Sequence, residues 1–460
     1  MIFQPDKPHE ECGVFGIWNY GRESAARSIY YGLMALQHRG QEAAGIAVCD
    51  TYGEKDNLSL KKASGLVSEI FDEKSLSELD GNIGIGHVRY STTGDSRIGN
   101  IQPIAFYYLK GTLALVHNGN IVNADAIKSE LAAKGHVFDA TSDSEVAAKL
   151  IASERAACGS IEEAVINSAP KLRGGYAFII MSPRKLVAVR DPHGLKPLCL
   201  GKTADGYVVA SESCAIKSAG AEFIRDIEPG EILTISRKGL QSVHINEKCR
   251  TAHCIFEYIY FARLDSVMDG VSIYEARLRG GEALAEAYPV DADIVSGVPE
   301  SGLAAAQGYA RHSGIPYAQV FYKNSYIGRT FIKPTQEERE DAVHLKLSVL
   351  ADAVKGKRIV LIDDSIVRGT TIRNLIVMLR QAGAREVHVR ISSPPFLFPC
   401  YYGTDVADTS QLIADRFSIE EIQERIGADS LGYMRTADLK EMVGSLGYCS
   451  ACFDGDYPVK

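Results

Sequence analysis

The first half of the chain is a succession of short apolar runs broken by turn residues. CGVFGIW (12–18), GIAVC (45–49), IGIGHVRYS (83–91), LALVHNG (113–119), YAFIIM (176–181), LVAVRD (186–191) and YVVAS (207–211) are rich in β-branched or aromatic residues and are bounded by Gly, Asn or Asp. Runs of this kind predict strands. Helical patterns fall between them, in SAARSIYYGLMALQHRG (24–40) and TSDSEVAAKLIASERAA (141–157). The second opens with Thr141, Ser142 and Asp143 as candidate N-terminal caps. The second half changes rhythm. Short apolar strands (ADIVSGV, KRIVLIDD, EVHVRISS) alternate with helical stretches (SGLAAAQGYARHSG, TTIRNLIVMLRQAG). Strand–helix alternation predicts a parallel α/β sheet. The change falls near residues 235–270 without a Pro- or Ser-rich linker, so the halves are expected to pack closely.

Composition adds boundaries to this picture. The 460 residues are 46% hydrophobic and 23% charged, an ordinary globular mix sufficient for two or three domains with sizeable cores. Fifty Lys+Arg against 58 Asp+Glu leave a net charge of -8, which argues against a general nucleic-acid binder. A local basic pocket for a phosphorylated metabolite remains compatible with that total. No apolar run approaches the ~20 residues of a membrane helix. MIFQPDKPHEE, at the start, lacks the apolar stretch of a secretory signal, so a cytoplasmic location is expected. Ten cysteines are too sparse for a disulfide scaffold and read as core residues, nucleophiles or metal ligands.

Four segments of the first half gain meaning together. Cys12 begins CGVFGI, GHVRYSTTGD holds Arg89, HNGNI holds Asn118 and Gly119, and TSDSE holds Asp143. Taken singly they are a small buried residue, a strand charge, a turn and a cap. In this order, with LQHRGQEAAGIA and RDPHGLKPL, they resemble the glutaminase domain of the N-terminal-nucleophile amidotransferases. The resemblance implies that residues 1–11 are a propeptide whose removal gives Cys12 a free α-amine. Such an amine, with a pKa of about 7.7–8.0, can serve as base at neutral pH. It also implies Cys12 as nucleophile, Asn118 and Gly119 as oxyanion donors, and Arg89 and Asp143 as the grips on glutamine's carboxylate and ammonium.

In the second half, KRIVLIDDSIVRGTTIRNLI places Asp363 and Asp364 at the carboxyl end of an apolar strand, followed by a small-residue loop and a helix. Ligands in open α/β sheets bind at strand tips, and free N–H groups at a helix N-terminus favour phosphate. A Walker A pattern is absent. The segment resembles the phosphoribosylpyrophosphate loop of type I phosphoribosyltransferases. That resemblance implies contacts from Asp363, Asp364, Ser365, Ile366, Val367, Arg368, Gly369, Thr370 and Thr371. SGVPESG adds Glu300 and Ser301 beside pyrophosphate, and the lid-like KNSYIGRTFIKP adds Lys323, Arg329 and Lys333. Ser301, Asp363 and Asp364 would hold magnesium.

The two halves in this order resemble the glutamine phosphoribosylpyrophosphate amidotransferase family over nearly all of residues 12–455. The implied fold combines α/β and α+β parts. A propeptide (1–11) precedes a four-layer αββα sandwich (12–240), and a type I phosphoribosyltransferase parallel α/β domain with a C-terminal cluster-binding segment follows (241–460). The implied reaction makes 5-phosphoribosylamine, glutamate and pyrophosphate from phosphoribosylpyrophosphate, glutamine and water, with ammonia passed internally. This is the first committed step of purine synthesis. Cys254, Cys400, Cys449 and Cys452 supply four thiolates, enough for zinc or a [4Fe–4S] cluster. The resemblance to the iron–sulfur-containing, propeptide-bearing branch favours the cluster. Purine nucleotides as inhibitors and a homo-oligomeric dimer or tetramer are further implications, with no nucleic-acid or membrane partner. Leu264 and Glu300 depart from the commoner Pro and Asp without removing a catalytic group. A hexosamine-phosphate synthase would need a sugar-isomerase second half, which the DDSIVRGTT loop disfavours. A phosphoribosylpyrophosphate sensor would have no need of the glutaminase residues.

Overall fold

The computed structural model describes residues 12–21, 23–53, 57–90, 98–245, 249–324, 347–404 and 409–459. The expected propeptide 1–11 and the lid residues Arg329 and Lys333 lie outside them. Two antiparallel sheets stack in the first half. One runs Glu222–Asp226, Cys199–Thr203, Gly206–Ala210, Cys12–Asn19, Ile83–Arg89, Ala43–Cys49, Leu58–Ser64. The other runs Gly239–His244, Glu231–Ser236, Lys185–Arg190, Gly174–Ser182, Gly111–Ile121, Ile104–Tyr108.

Strand periodicity distributes side chains to both faces of each sheet. Along Cys12–Asn19, Val14 and Trp18 enter the core between the sheets with Ile85, Val116 and Ile179. Phe15 and Ile17 face outward and meet Ile29 and Leu33 of the helix Ala25–Ala35. On the far side, Phe178 and Ile180 pack against Ile127, Val146 and Ile151 of the helices Ala124–Ala133 and Asp143–Ala157. The result is the four-layer αββα arrangement. Burial on both faces explains why these strands read as continuous apolar runs.

In the second half, Ile294–Gly297, Arg358–Asp363, Glu386–Ile391 and Ser430–Tyr433 form a parallel sheet in that order. The helix Gly302–Ser313 follows the first strand and Thr370–Gln381 follows the second. Helices Ile273–Ala287 and Gly302–Ser313 meet backbone to backbone, since a Cβ on Gly281 would stand 1.8 Å from the Ala305 oxygen. Among the described residues no helix is long and apolar enough to cross a membrane.

The 240/241 boundary falls inside the edge strand Gly239–His244, which pairs along its length with Glu231–Ser236. The first sheet system therefore extends through His244. The strand escaped sequence reading because Leu240–His244 is solvent-exposed and lacks an apolar pattern.

Candidate active site

A small cavity of about 20 Å³ opens where the two antiparallel sheets part. Cys12 and Arg89 line it from the first sheet, as cross-strand neighbours in register. His117 and Gly119 line it from the second, and Ser142, Asp143 and Ser144 from the start of a helix. Four of the sequence-derived residues, Cys12, Arg89, Gly119 and Asp143, thus converge on one space. Asn118 does not line the cavity; it is fully buried next to Gly119 in the chain, and among the described residues neither its Nδ2 nor its Oδ1 has a hydrogen-bond partner. An unmet buried amide costs about 1–3 kcal/mol. Gly119 sits at φ 133°, and a Cβ there would fall 2.0 Å from the Gly175 oxygen.

Ser142 occupies the N-cap position, but its side chain does not cap the helix. Asp143 turns back instead. Its Oδ2 accepts the Ile121 N–H at 2.9 Å, and its Oδ1 accepts from Ser144 Oγ at 3.3 Å. Sequence reading also missed Asn100, Gln102 and Ser144 as lining residues. No periodicity distinguishes them, because they come from a loop and a helix start.

Behind the cavity lies a buried charge network. Arg39 Nε donates to the Cys12 carbonyl at 3.2 Å. Its Nη1 meets Glu212 at 2.5 Å, and its Nη2 meets Glu257 at 2.5 Å. Burial pushes the Glu212 carboxyl up, but His38 and Arg39 outweigh it and hold the group well below the usual range. Glu257 opens the π-helical turn Glu257–Phe261, whose Tyr258 and Tyr260 carbonyls accept from Arg277 at 3.0 and 2.8 Å. Burial lowers Arg277 to about 10 against the pull of Asp364.

At the tip of Arg358–Asp363, Asp363 and Asp364 are 1% and 0% exposed. The Asp364 N–H donates to Asp363 Oδ1 at 2.9 Å, and Ser365 Oγ donates to Asp364 Oδ1 at 2.5 Å. Ser301 Oγ donates to Asp364 Oδ2. Glu300 pairs with Lys323 at 2.9 Å. Gly369, at φ 84°, turns the chain from the acids into the helix Thr370–Gln381. Ser301, Asp363 and Asp364 thus gather hard oxygen donors, the kind magnesium takes.

Cys254, Cys400, Cys449 and Cys452 line a third cavity with Lys196, Phe256 and Phe396. Cys254 and Cys449 are directly opposite in a short parallel pairing. Burial pushes Cys449 up to about 12 and raises Cys254 and Cys452 well above the ordinary thiol value, so thiolates here need a cationic partner. Among the described residues no three His, Cys, Asp or Glu side chains are placed to share one metal ion.

This pairing of sites defines a class: a glutamine amidotransferase joined to a phosphoribosyl transferase. Residues 87–218 match the glutamine amidotransferase domain family, and residues 276–392 match the phosphoribosyl transferase domain family. The chain is 47% identical to the amidophosphoribosyltransferase of Methanocaldococcus jannaschii, covering 98% of each chain. It is 47% identical to that of Bacillus subtilis, covering 98% of this chain and 95% of that one. It superposes on the B. subtilis glutamine phosphoribosylpyrophosphate amidotransferase complexed with ADP and GMP with a TM-score of 0.90, at 46% identity and 98% coverage of both chains. The chain belongs to the amidophosphoribosyltransferase family. Its class of activity is a glycosyltransferase-type reaction at the first step of purine synthesis, and magnesium is the metal expected with that substrate.

Proposed function

We propose that the cavity between the sheets hydrolyses glutamine and that the strand-tip acids bind phosphoribosylpyrophosphate. The observation that carries the reading is the convergence of Cys12, Arg89, Gly119 and Asp143 on one space. Arg89 holds the glutamine carboxylate bidentately and Asp143 its ammonium. With residues 1–11 removed as a propeptide, the α-amine of Cys12 takes the thiol proton. The sulfur then attacks the side-chain carbonyl. The Asn118 amide, without a partner among the described residues, and the Gly119 N–H receive the oxyanion. The C–N bond breaks, ammonia leaves with the proton, and water cleaves the thioester to glutamate.

The released ammonia passes within the protein to the second site. There the loop Ser365–Thr371 holds the 5′-phosphate, while Glu300, Ser301, Lys323, Arg329 and Lys333 surround the pyrophosphate. Nitrogen bonds to the ribose anomeric carbon as the bond to pyrophosphate breaks. Ser301, Asp363 and Asp364 would hold magnesium, which when bound stabilises charge on the leaving group. The division into 1–11, 12–240 and 241–460 follows the chemistry, with the second boundary moved past His244 to keep the edge strand whole.

Cys254, Cys400, Cys449 and Cys452 would hold a [4Fe–4S] cluster that fastens the C-terminal segment. Two bonds support this fastening role: the Leu397 and Phe398 N–H groups donate to the Cys452 carbonyl at 3.0 and 3.1 Å, which sets the Cys400 stretch against the C-terminal segment. Regulation by purine nucleotides is supported by a cationic cleft beside the phosphate loop. Arg368, Arg373, Arg416 and Arg425 line it, and the Arg425 guanidinium stacks 3.6 Å from the Phe417 ring centroid. A homo-oligomer, dimer or tetramer, completes the proposal, and light scattering would size it.

The test is Cys12→Ala. Glutamine-dependent formation of phosphoribosylamine is expected to vanish while ammonia-dependent formation persists. Loss of both, or of neither, overturns the assignment.

A further inference from the structure

The strand Gly111–Ile121 carries Asn118 and Gly119, and its outer neighbour ends early. Ile104–Tyr108 pairs with it from Gly111 to Leu115, with Ile104 opposite Leu115. Two residues further, the same register would set residue 102 against His117. No strand is there, but the side chain of Gln102 is. Its Oε1 accepts the His117 N–H at 2.6 Å. Its Nε2 donates to the His117 carbonyl at 3.4 Å and to Ser144 Oγ at 3.0 Å. The side-chain amide thus makes the paired N–H and C=O bonds that a neighbouring peptide would have made. The His117 carbonyl receives a second bond, from His87 Nε2 at 3.1 Å. A carbonyl only accepts, so the proton is on Nε2, and the unbonded Nδ1 agrees with that tautomer. Burial lowers His87 to about 3, which keeps it neutral. The loop bearing Gln102 is itself anchored. Lys62 Nζ donates to the carbonyls of Ile101 and Pro103, and a Cβ on Gly45 would fall 2.2 Å from the Gln102 oxygen.

We propose that Gln102 is a positioning residue for glutamine hydrolysis, an amide that replaces a missing strand and fixes the His117–Asn118 peptide so that the oxyanion donors face Cys12. The inference rests on the reading of Asn118 and Gly119 as those donors.

The experiment compares Q102M, Q102E and N118A in the full chain. Glutamate release, glutamine KM and ammonia-dependent synthesis are measured across pH. Q102M is expected to lower kcat for glutamine at least tenfold, with KM and the ammonia-dependent rate within twofold of the parent. Q102E is expected to gain on the parent as pH falls, because a protonated carboxyl offers an O–H where the amide offered N–H. Unchanged kcat, a rise in KM alone, a parallel fall with ammonia, or a Q102E ratio flat with pH each overturns the inference. N118A separates the two readings. If it leaves glutamate release intact, the oxyanion assignment itself fails. If N118A is inactive while Q102M is active, only the role of Gln102 fails.

Discussion

Glu257→Ala removes one of two carboxylates that hold a buried guanidinium. The Arg39 and Glu257 side chains are 0% and 3% exposed, 2.5 Å apart. Removing one partner of such a pair costs about 3–5 kcal/mol, because the remaining charge keeps its desolvation penalty without its attraction. Glu212, 2.5 Å from Nη1, stays in place. The expected loss is therefore at the lower end, about 3 kcal/mol. Glu73→Ala is the control. Its pair with Arg27 is 2.8 Å long, yet the two side chains are 81% and 61% exposed. Screened pairs of that kind contribute about 0–1 kcal/mol. Denaturant unfolding of both variants beside the parent reads the difference. Because Arg39 also holds the Cys12 carbonyl, Glu257→Ala is expected to depress glutaminase turnover more than ammonia-dependent synthesis. Destabilisation by the two substitutions that agrees within about 1 kcal/mol would refute the reasoning that burial sets the weight of these pairs.

Burial first, and then the neighbouring Asp269, pushes Asp226 from 3.8 up to about 6. The folded chain therefore binds this proton more tightly than the unfolded one, so the group's contribution to stability declines as pH rises from about 4 to about 6 and is level above. Asp226→Asn should abolish that decline and raise the denaturant midpoint at neutral pH; a midpoint tracking the parent throughout speaks against it. Gly119→Ala places a methyl against the Gly175 oxygen and should remove glutaminase activity, with kcat for glutamine as the readout. Asp363→Asn should stop ribosyl transfer from either nitrogen donor while sparing glutamate release in the absence of transfer. If the cluster fastens the C-terminal segment, iron removal should speed hydrogen exchange in residues 397–404 and 448–453, read by mass spectrometry.

The strands were legible because nearly every residue in them is buried, and the acid pair because its strand, loop and helix are consecutive. Cys12, Arg89 and Gly119 carry no signature singly; their order along the chain singled them out, and the fold brings them to line one cavity. Of the three cap candidates Ser142 does take the N-cap position, but its side chain makes no capping bond and Asp143 lines the cavity, since a sequence cannot show which way a helix-start side chain turns. Gln102 and Glu257 were not legible. Gln102 acts through a register that exists only once the sheet forms. Glu257 meets a residue 218 positions away, with no local pattern to announce it. The exposed strand Gly239–His244 was missed for the opposite reason, having too little apolar surface to leave a signal.

The bond between Arg39 and Glu257 also bears on how such a chain could be rearranged by recombination. A gene fragment encoding the first sheet system alone would keep Arg39 paired with Glu212 but lose the second carboxylate that its Nη2 meets. The reciprocal fragment would inherit Glu257 without Arg39. Splitting the polypeptide into separately inherited subunits would leave Glu257 as the uncompensated member of the pair, so the cost of division falls on the second half.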